Sequence, residues 1–401
     1  MLFFIRHLLM RPNAKKLRVR ADITLDMAFV FLVLALLAFG WVMVASASMV
    51  EAAYHYNNPY FYATRQGIFA ILGVAVMVVA LLVPTDNYQK IYKLWLLVAF
   101  LLLIAVLIPH VGREVNGSRR WIPLVIINIQ VSELVKLCAI MYFSCYLVRF
   151  GAYAREQFAG VLKPLIILAA MAALLLKEPD FGAAVVMFAC VFGIMFMAGV
   201  KVRWFVILIS LGAIAATFLV IFEPYRLARL NSFLDPWADA NNSGYQLVQA
   251  LIAYGRGGWF GDGLGSGIQK QFFLPEAHTD FIVSVIAEEL GAIGVIVLLF
   301  VYIALIYKGL KIGYLAYRLE RNFQSYVAYG ISFWVAFQVV VNIGVNIGVL
   351  PTKGLTLPLI SYGGSSLLIM CFALGILLRT DFENKVIADE KMPQYTYKKL
   401  A

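Results

Sequence analysis

The sequence carries one pair of groups suited to proton transfer, placed where a polar stretch meets an apolar one. His278 and Asp280 close a glycine-rich polar segment, and an apolar run starts directly after them. A carboxylate in this position can act as a general base toward a bound hydroxyl group. It can equally cap the first turn of the helix that follows. The residues alone leave both interpretations of Asp280 open.

A basic cluster beside an aromatic side chain offers a place for an anion. Arg119 and Arg120 stand next to Trp121 in a polar stretch between two apolar segments. Such a cluster suits a phosphate-bearing group, although long basic side chains also reach toward lipid headgroups without binding a substrate. Two further cations in polar stretches could join the cluster: Arg256 and Lys353.

A third candidate pair lies at the start of an apolar segment. Glu133 and Lys136 are three positions apart, so a helix would present both on one face. A charge inside a membrane is costly, and it usually pairs with another charge or lines a cavity. Two interpretations therefore stay open: a structural ion pair near the interface, or a polar wall beneath a binding site.

The longest polar stretch of the chain spans residues 223–280. A segment of this length without obvious secondary structure is usually functional or disordered, and its aromatic residues argue for packing rather than disorder. The side-chain amides of Gln246 and Gln249 suit the hydroxyl groups of a sugar. The many glycines allow backbone N–H groups to approach a phosphate. Gly261–Gly265 does not match a dinucleotide-binding fingerprint, because no strand precedes it.

The composition identifies a membrane protein. Hydrophobic residues make up 63% of the chain and charged residues only 14%, whereas a soluble domain has roughly 25% charged residues. The net charge of +11 is explained by membrane topology, so we expect no nucleic-acid partner. The four cysteines lie in apolar segments without C-x-x-C spacing, and only four histidines are present. No metal-ligand set can therefore be identified, and the metal site is unknown.

Hydropathy predicts an all-α, polytopic membrane protein with ten transmembrane helices. Lysine and arginine concentrate in alternate short loops, which predicts that both termini are cytoplasmic. A large extracytoplasmic loop, 223–280, then separates helices 7 and 8. A cytoplasmic basic segment (1–22) precedes the membrane domain (23–378), and a cytoplasmic tail (379–401) follows it. The ten predicted spans are residues 23–49, 66–83, 93–110, 133–149, 161–176, 183–199, 204–222, 281–307, 325–347 and 362–378.

Several long motifs occur in this order and topology along nearly the whole membrane region. The chain resembles the SEDS family (shape, elongation, division and sporulation) and, within it, the division member more than the elongation paralogue. EPYRLAR at 223–229 and TKGLT within the last motif favour the division branch. The matching motifs are NGSRRWIPL at 116–124, SELVK at 132–136, EPDFG at 178–182, GYQLVQALIAYGRGGWFGDGLG at 244–265, LPEAHTDFI at 274–282 and LPTKGLTLPLISYGGSSL at 350–367.

The resemblance implies a peptidoglycan glycosyltransferase that polymerises lipid II into β-1,4-linked glycan at the outer face of the cytoplasmic (inner) membrane. It implies enrichment at the division septum. It also implies a class B penicillin-binding protein partner, an FtsI-like transpeptidase, and the divisome proteins FtsQ, FtsL, FtsB and FtsN. The invariant aspartate of the family falls on Asp280, its helix-4 carboxylate and lysine on Glu133 and Lys136, and its outer-loop tryptophan on Trp121. Asn128 departs from the arginine of some relatives, which leaves a cationic role to Arg119 or Arg120.

The implied reaction is a single inverting displacement. Asp280 would accept the proton of the acceptor hydroxyl as the undecaprenyl pyrophosphate of the growing glycan departs. The leaving pyrophosphate needs cations, for which the candidates are Arg119, Arg120, Lys136, Arg256 and Lys353. A divalent cation, Mg or Mn, could assist. Two alternatives are kept: a lipid II flippase, with Glu133, Lys136, Glu288 and Glu289 along the route, and a non-catalytic divisome scaffold.

Overall fold

The computed structural model describes residues 25–115, 118–123, 128–222, 233–242, 244–351 and 354–391. The predicted 1–22 segment and residues 392–401 of the predicted tail lie outside this part of the chain. The helices are α1 (Met27–Tyr56), α2 (Phe61–Leu82), α3 (Thr85–Lys90), α4 (Tyr92–Leu107), α5 (Val131–Glu156), α6 (Phe158–Lys177), α7 (Phe181–Met197), α8 (Val202–Ile221), α9 (Tyr245–Gly257), α10 (Ile282–Arg318), α11 (Asn322–Asn346) and α12 (Gly364–Lys391).

The protein is a multi-pass membrane protein. Seven of its described helices are long and apolar enough to cross a membrane: α1, α2, α5, α6, α10, α11 and α12. Three shorter apolar helices, α4, α7 and α8, complete the set, and each predicted span overlaps one of these helices. The predicted number of ten crossings stays a prediction, because α4 has only 16 residues and a crossing takes roughly 17–25.

Helix α5 lies at the centre of the bundle. It packs against α4, α6, α7 and α11, and 83% of its most apolar window is buried inside the protein. Because it is surrounded by protein on nearly all sides, α5 can hold polar side chains such as Ser132 and Ser144 away from lipid. The four cysteines are buried and free, which agrees with their interpretation as small core residues.

A small antiparallel sheet stands before α5, where the sequence predicted only helices and loops. Its strands are β1 (Arg113–Val115), β2 (Ser118–Pro123) and β3 (Asn128–Gln130), paired in the order β1-β2-β3. The prediction missed these strands because they are short and polar, with no alternating apolar pattern. The sheet is anchored to the bundle at its last strand, where the Gln130 N–H donates to Ser365 Oγ at 3.0 Å.

The described part of the segment 223–280 contains a helix, which corrects the expectation of a long stretch without secondary structure. Helix α9 packs against α10, and a series of turns leads from it to Asp280. At Gly291 the α10 backbone leaves the helical conformation with φ of 69°. A Cβ at Gly291 would lie 2.4 Å from the Trp259 carbonyl oxygen. Glycine therefore permits both the break and the close contact there.

The last helix continues past the boundary predicted at residue 378. Helix α12 runs to Lys391, so residues 379–391 are not a separate tail. Arg379 and Arg321 both pair with Glu383, and Arg379 Nε lies 2.7 Å from Glu383 Oε1. The predicted boundary followed from the low hydropathy of this part of the helix. Its charged side chains are instead paired with each other and with Arg321 of the bundle. We refer to this side of the bundle, with Asp26, Lys308 and Glu383, as the basic end, and to the side with Asp280 as the loop end.

Candidate active site

Asp280 is fixed by its backbone to the end of α11. The Asp280 carbonyl oxygen accepts hydrogen bonds from Asn342 Nδ2 at 3.0 Å and Asn346 Nδ2 at 2.9 Å. Asn342 also donates to the Leu355 carbonyl oxygen at 2.6 Å. Gln338, one turn earlier on α11, donates to the Thr356 carbonyl oxygen at 2.9 Å. This ladder of three amides on α11 holds the Asp280 segment and the 354–357 segment against each other.

The Asp280 carboxylate does not cap α10, so the N-cap interpretation is wrong. The N-cap residue of α10 is Phe281, and no side-chain hydrogen bond caps that end. The carboxylate instead faces Gly354, where an added Cβ would lie 2.6 Å from Asp280 Oδ2. Any other residue at 354 would therefore displace the carboxylate or the backbone that passes over it.

The surroundings of Asp280 favour its protonated form. Burial is the largest cause that raises the pKa of the carboxyl to about 7; the Glu276 and Asp180 carboxylates add smaller increases, and the Arg120 guanidinium opposes them. A carboxyl group with a pKa near neutrality can take up and release a proton under ordinary conditions. The arrangement therefore suits general base chemistry.

Strand β2 separates the two arginines of the basic cluster. Arg120 Nε donates to the Glu178 carbonyl oxygen at 3.2 Å and Nη2 to the Pro179 carbonyl oxygen at 2.6 Å. Arg119 pairs instead with Glu114 on β1, at 3.0 Å from Nε to Oε2, where both side chains are largely exposed. Successive strand residues point to opposite faces. Only Arg120 is therefore directed toward the Asp280 site. Trp121, two residues after Arg119, lies on the same face of the strand as Arg119.

Two acidic residues near Asp280 were not proposed from the sequence. Glu178 is fully buried, and neither carboxylate oxygen has a hydrogen-bond partner among the described residues. Asp180 Oδ1 caps α7 by accepting from the Ala183 N–H at 3.2 Å, and its other oxygen is unpartnered within the same part of the chain. Burial, and then Asp180, raise the pKa of Glu178 to about 8. The sequence signal was two acids flanking Pro179 within the EPDFG motif at 178–182.

Glu133 and Lys136 form a buried ion pair beneath this site. Lys136 Nζ lies 2.8 Å from Glu133 Oε1, and both side chains are essentially inaccessible. Lys136 also donates to Gln338 Oε1 at 3.1 Å and lies 5.1 Å from the centre of the Trp334 ring. The pair therefore does not line an open cavity. It reaches the Asp280 site through Gln338, the first residue of the amide ladder.

Two buried glutamates on α10 hold the glycine-rich segment in place. Glu288 accepts from the Ile268 N–H at 2.9 Å and pairs with Arg256 Nε at 3.3 Å. Glu289 pairs with Lys270 Nζ at 2.5 Å and accepts from the Gly265 N–H at 3.0 Å. Neither glutamate is exposed. Both side chains are thus engaged by residues 256–270.

Replacing Glu289 by alanine is expected to lower the free energy of unfolding by about 3–5 kcal/mol, because it leaves the Lys270 ammonium buried without its partner. Ser46 Oγ, which donates to Glu289 at 2.8 Å, loses its acceptor too. Glu114→Ala is the control, because it breaks an exposed pair whose contribution is about 0–1 kcal/mol. Thermal unfolding of the purified protein in detergent measures both, and equal melting temperatures for the two variants would contradict the anchoring role.

The other predicted site residues take separate positions. His278 is buried, with Nδ1 3.3 Å from Glu51 Oε2 and its ring 4.4 Å from that of Tyr62. Arg256 also pairs with Asp262, at 3.2 Å. Gln246 and Gln249 lie half-buried in the first turns of α9. Lys353, with Arg226 and Arg229 of the long segment, lies outside the described residues.

No described group of three or more histidine, cysteine, aspartate or glutamate side chains is placed to hold a metal ion. The Asp180 carboxylate raises the pKa of both Glu178 and Asp280, but these three acids do not form such a group. The described residues therefore do not fit a resident divalent cation, and no step of the chemistry is assigned to one.

A family model described as a cell cycle protein, and covering FtsW, RodA and SpoVE, matches residues 27–386. A Francisella salina protein named probable peptidoglycan glycosyltransferase FtsW is 58% identical over 400 residues, with 100% of both chains covered. A Coxiella burnetii protein of the same name is 49% identical over 360 residues, covering 90% of this chain and 97% of its own.

Solved structures agree with these matches. A chain from a peptidoglycan synthase complex, described as coordinating polymerization and crosslinking, is 29% identical with a TM-score of 0.74, covering 90% of this chain and 98% of its own. Thermus thermophilus rod shape determining protein RodA is 29% identical with a TM-score of 0.65 and the same coverage. The resemblance inferred from the motifs is confirmed, including its preference for the division branch. The chain belongs to the FtsW, RodA and SpoVE family of cell cycle proteins.

Proposed function

We propose that the protein is a peptidoglycan glycosyltransferase that polymerises lipid II into β-1,4-linked glycan strands during cell division. The observation that carries the proposal is the Asp280 carboxyl, whose pKa is raised to about 7, within the electrostatic reach of the Arg120 guanidinium. Relatives at 58% and 49% identity bear the name of this activity. A base beside a cation suits a reaction in which a hydroxyl group attacks and a pyrophosphate leaves.

The reaction is a single displacement at the anomeric carbon of the growing glycan. The 4-hydroxyl of the acceptor sugar loses its proton to Asp280 as its oxygen bonds to that carbon. The bond from the carbon to the pyrophosphate oxygen breaks, and undecaprenyl pyrophosphate takes the electron pair. One base suffices, because an α-linked donor gives a β-linkage by inversion. Arg120, held by two backbone carbonyls, stabilises the charge of the departing pyrophosphate.

The remaining candidates have proposed supporting roles. Lys136 and Glu133 are buried, so they act by positioning Gln338 and the segment over Asp280. Gln246 and Gln249 are proposed for sugar hydroxyl groups. The proposed contacts of the lipid-linked substrate outside Asp280 and Arg120 are Trp121, Arg256, His278 and Lys353. Arg119, which pairs with Glu114 on the other face of β2, is proposed only as a peripheral contact. A Mg or Mn cofactor stays a proposal that the geometry of the described acidic residues does not support.

One observation favours the polymerase over the flippase alternative. The flippase interpretation places four charged side chains along a route through the membrane: the paired Glu133 and Lys136, and Glu288 and Glu289. The Glu288 and Glu289 side chains are instead saturated by contacts with the glycine-rich segment. The scaffold alternative assigns no function to the Asp280 carboxyl, although its pKa is raised. We therefore retain both only as outcomes of the experiment below.

The proposed setting is the cytoplasmic membrane at the division septum, with Asp280 on the outer face and both termini in the cytoplasm. The similarity to a peptidoglycan synthase complex that coordinates polymerization and crosslinking supports a crosslinking partner. We propose a class B penicillin-binding protein, the FtsI-like transpeptidase, together with FtsQ, FtsL, FtsB and FtsN. Lipid II and the undecaprenyl-pyrophosphate-linked glycan are the proposed substrates.

To test the proposal, the purified protein is incubated with labelled lipid II, with and without this transpeptidase. Long glycan strands on a gel are the expected result. Transfer of lipid II across sealed vesicles without any polymer would replace the polymerase by the flippase. If the complex gives neither polymer nor transfer, while division in cells still requires the protein, the scaffold interpretation holds.

The pH dependence of the reaction should report the pKa of Asp280. The base must be ionised, so we expect kcat/KM, measured at lipid II concentrations well below KM, to rise tenfold per pH unit below about pH 7 and to level off above it. Removing a neighbouring negative charge with Glu276→Gln should move the midpoint to lower pH. Initial rates between about pH 5 and 9 measure both. If Glu276→Gln leaves the midpoint unchanged, the pH profile does not report the ionisation of Asp280.

A further inference from the structure

A pocket lies between α4 and α5, away from the Asp280 site. Its volume is about 380 Å³. The lining residues are Tyr92, Lys93 and Leu96 of α4 and Tyr142, Tyr146, Arg149 and Phe150 of α5. Two cations and three tyrosines thus share a small cavity with apolar side chains. None of the roles proposed above uses any of these residues.

The pocket lies at the opposite boundary of the membrane from Asp280. Arg149 follows the start of α5 by 18 residues, which is about 27 Å along a helix. That distance is close to the roughly 30 Å thickness of the hydrocarbon core. Because α5 begins at the loop end, Arg149 lies at the polar boundary on the basic end. The charge distribution assigns this end to the cytoplasm.

The cations of the pocket are positioned but not neutralised. Arg149 Nη1 donates to the Tyr92 hydroxyl at 2.7 Å, and its guanidinium carbon lies 4.1 Å from the centre of that ring. This contact occupies one of five guanidinium donors. Lys93 and Arg149 are exposed, and no aspartate or glutamate lines the pocket among the described residues. The cavity therefore presents uncompensated positive charge with free donors.

The walls are pre-formed and apolar. The Tyr146 hydroxyl donates to the Gly160 carbonyl oxygen at 2.8 Å, which fixes that ring. The Tyr92 and Tyr142 rings stack at 6.3 Å with an interplanar angle of 20°. Phe150 is 51% exposed at the edge of the pocket. A ligand here needs an anionic head for the cations and a hydrocarbon portion for Leu96 and Phe150.

We propose that the pocket between α4 and α5 binds the phosphate headgroup of an anionic phospholipid of the cytoplasmic leaflet. Arg149 and Lys93 bind the phosphate oxygens, and an acyl chain lies along Leu96 and Phe150. Basic pockets between transmembrane helices on this side of a membrane bind such headgroups. An inorganic phosphate has the same anionic chemistry but no hydrocarbon to match the apolar wall, so we expect it to bind much less tightly.

Native mass spectrometry of the purified full chain tests the site with two probes of equal chain length, a phosphatidylglycerol and a phosphatidylcholine. Lys93→Gln with Arg149→Gln removes both cations. Lys201→Gln with Arg203→Gln is the matched control, because it removes one exposed lysine and one exposed arginine outside the pocket. We expect the pocket variant to bind phosphatidylglycerol about 30-fold more weakly, with little change in the control.

Four results would overturn the proposal. Equal losses in both double variants would show diffuse attraction to surface charge. If the wild type retains phosphatidylglycerol and phosphatidylcholine equally, the net negative charge of the headgroup does not contribute to binding. Displacement of phosphatidylglycerol by millimolar inorganic phosphate would show an anion site without lipid specificity. Leu96→Trp keeps both cations and fills the cavity, so it should also release the lipid. Full retention by that variant would contradict the pocket.

Discussion

Replacing Asp280 by asparagine is expected to lower the rate of glycan polymerisation by about 10²–10⁴-fold, the usual effect of removing a general base. Asparagine keeps the size of the side chain and so respects the close approach of Gly354, whose Cβ position lies 2.6 Å from Asp280 Oδ2. It also keeps the backbone carbonyl that Asn342 and Asn346 bind. The geometry survives, but the proton acceptor is lost. Strand length and initial rate with labelled lipid II measure the effect.

The stability of this variant distinguishes lost chemistry from lost folding. The folded pKa of Asp280, about 7, lies above the ordinary value of 3.8. The carboxyl group therefore reduces stability as pH rises from the lower pKa to the higher one. An asparagine removes that cost, so Asp280→Asn should melt no lower than wild type at pH 8. Asp262→Asn, an exposed carboxylate of the same segment, should retain its activity. Near-normal turnover by Asp280→Asn would remove Asp280 from the mechanism.

Sequence reasoning located the elements better than their contacts. Every predicted span overlaps a helix, because continuous apolar runs in a membrane protein leave few alternatives to helices. Asp280 was found because it stands where a polar segment meets such a run. The extension of α12 to Lys391 was missed, because Arg379 and Glu383 look solvent-exposed in sequence and become paired only in the folded bundle.

The contacts around Asp280 depend on tertiary structure, which local sequence patterns do not predict. Asp180 precedes Asp280 by about a hundred positions, and only the folded chain brings their charges together. Glu288 and Glu289 are adjacent, yet both are buried, because the break at Gly291 and the returning glycine-rich segment give each its own partners. Periodicity predicts which face of a helix is apolar. It does not predict which loop returns to bind a buried charge.

The two neighbouring arginines on β2 give the second large prediction. Arg120→Ala is expected to lower the polymerisation rate by about 10²–10³-fold, the effect of losing one fixed donor to developing negative charge. Arg119→Ala should change it by less than about threefold, because the exposed Arg119–Glu114 pair lies on the other face of the strand. Arg120→Lys should restore little, since an ammonium cannot span the Glu178 and Pro179 carbonyls as a guanidinium does.

The pH profile of the Arg120 variant separates an electrostatic role from a purely structural one. The guanidinium lowers the pKa of Asp280 against the effect of burial. Without it, the midpoint of the polymerisation rate should move to higher pH, and raising the pH should recover part of the activity. A merely misfolded site would lose rate at every pH alike. Arg119→Ala should leave the midpoint in place, because only one of two adjacent, equally charged residues reaches the reacting carboxyl. Equal losses from the two alanine substitutions would contradict this assignment.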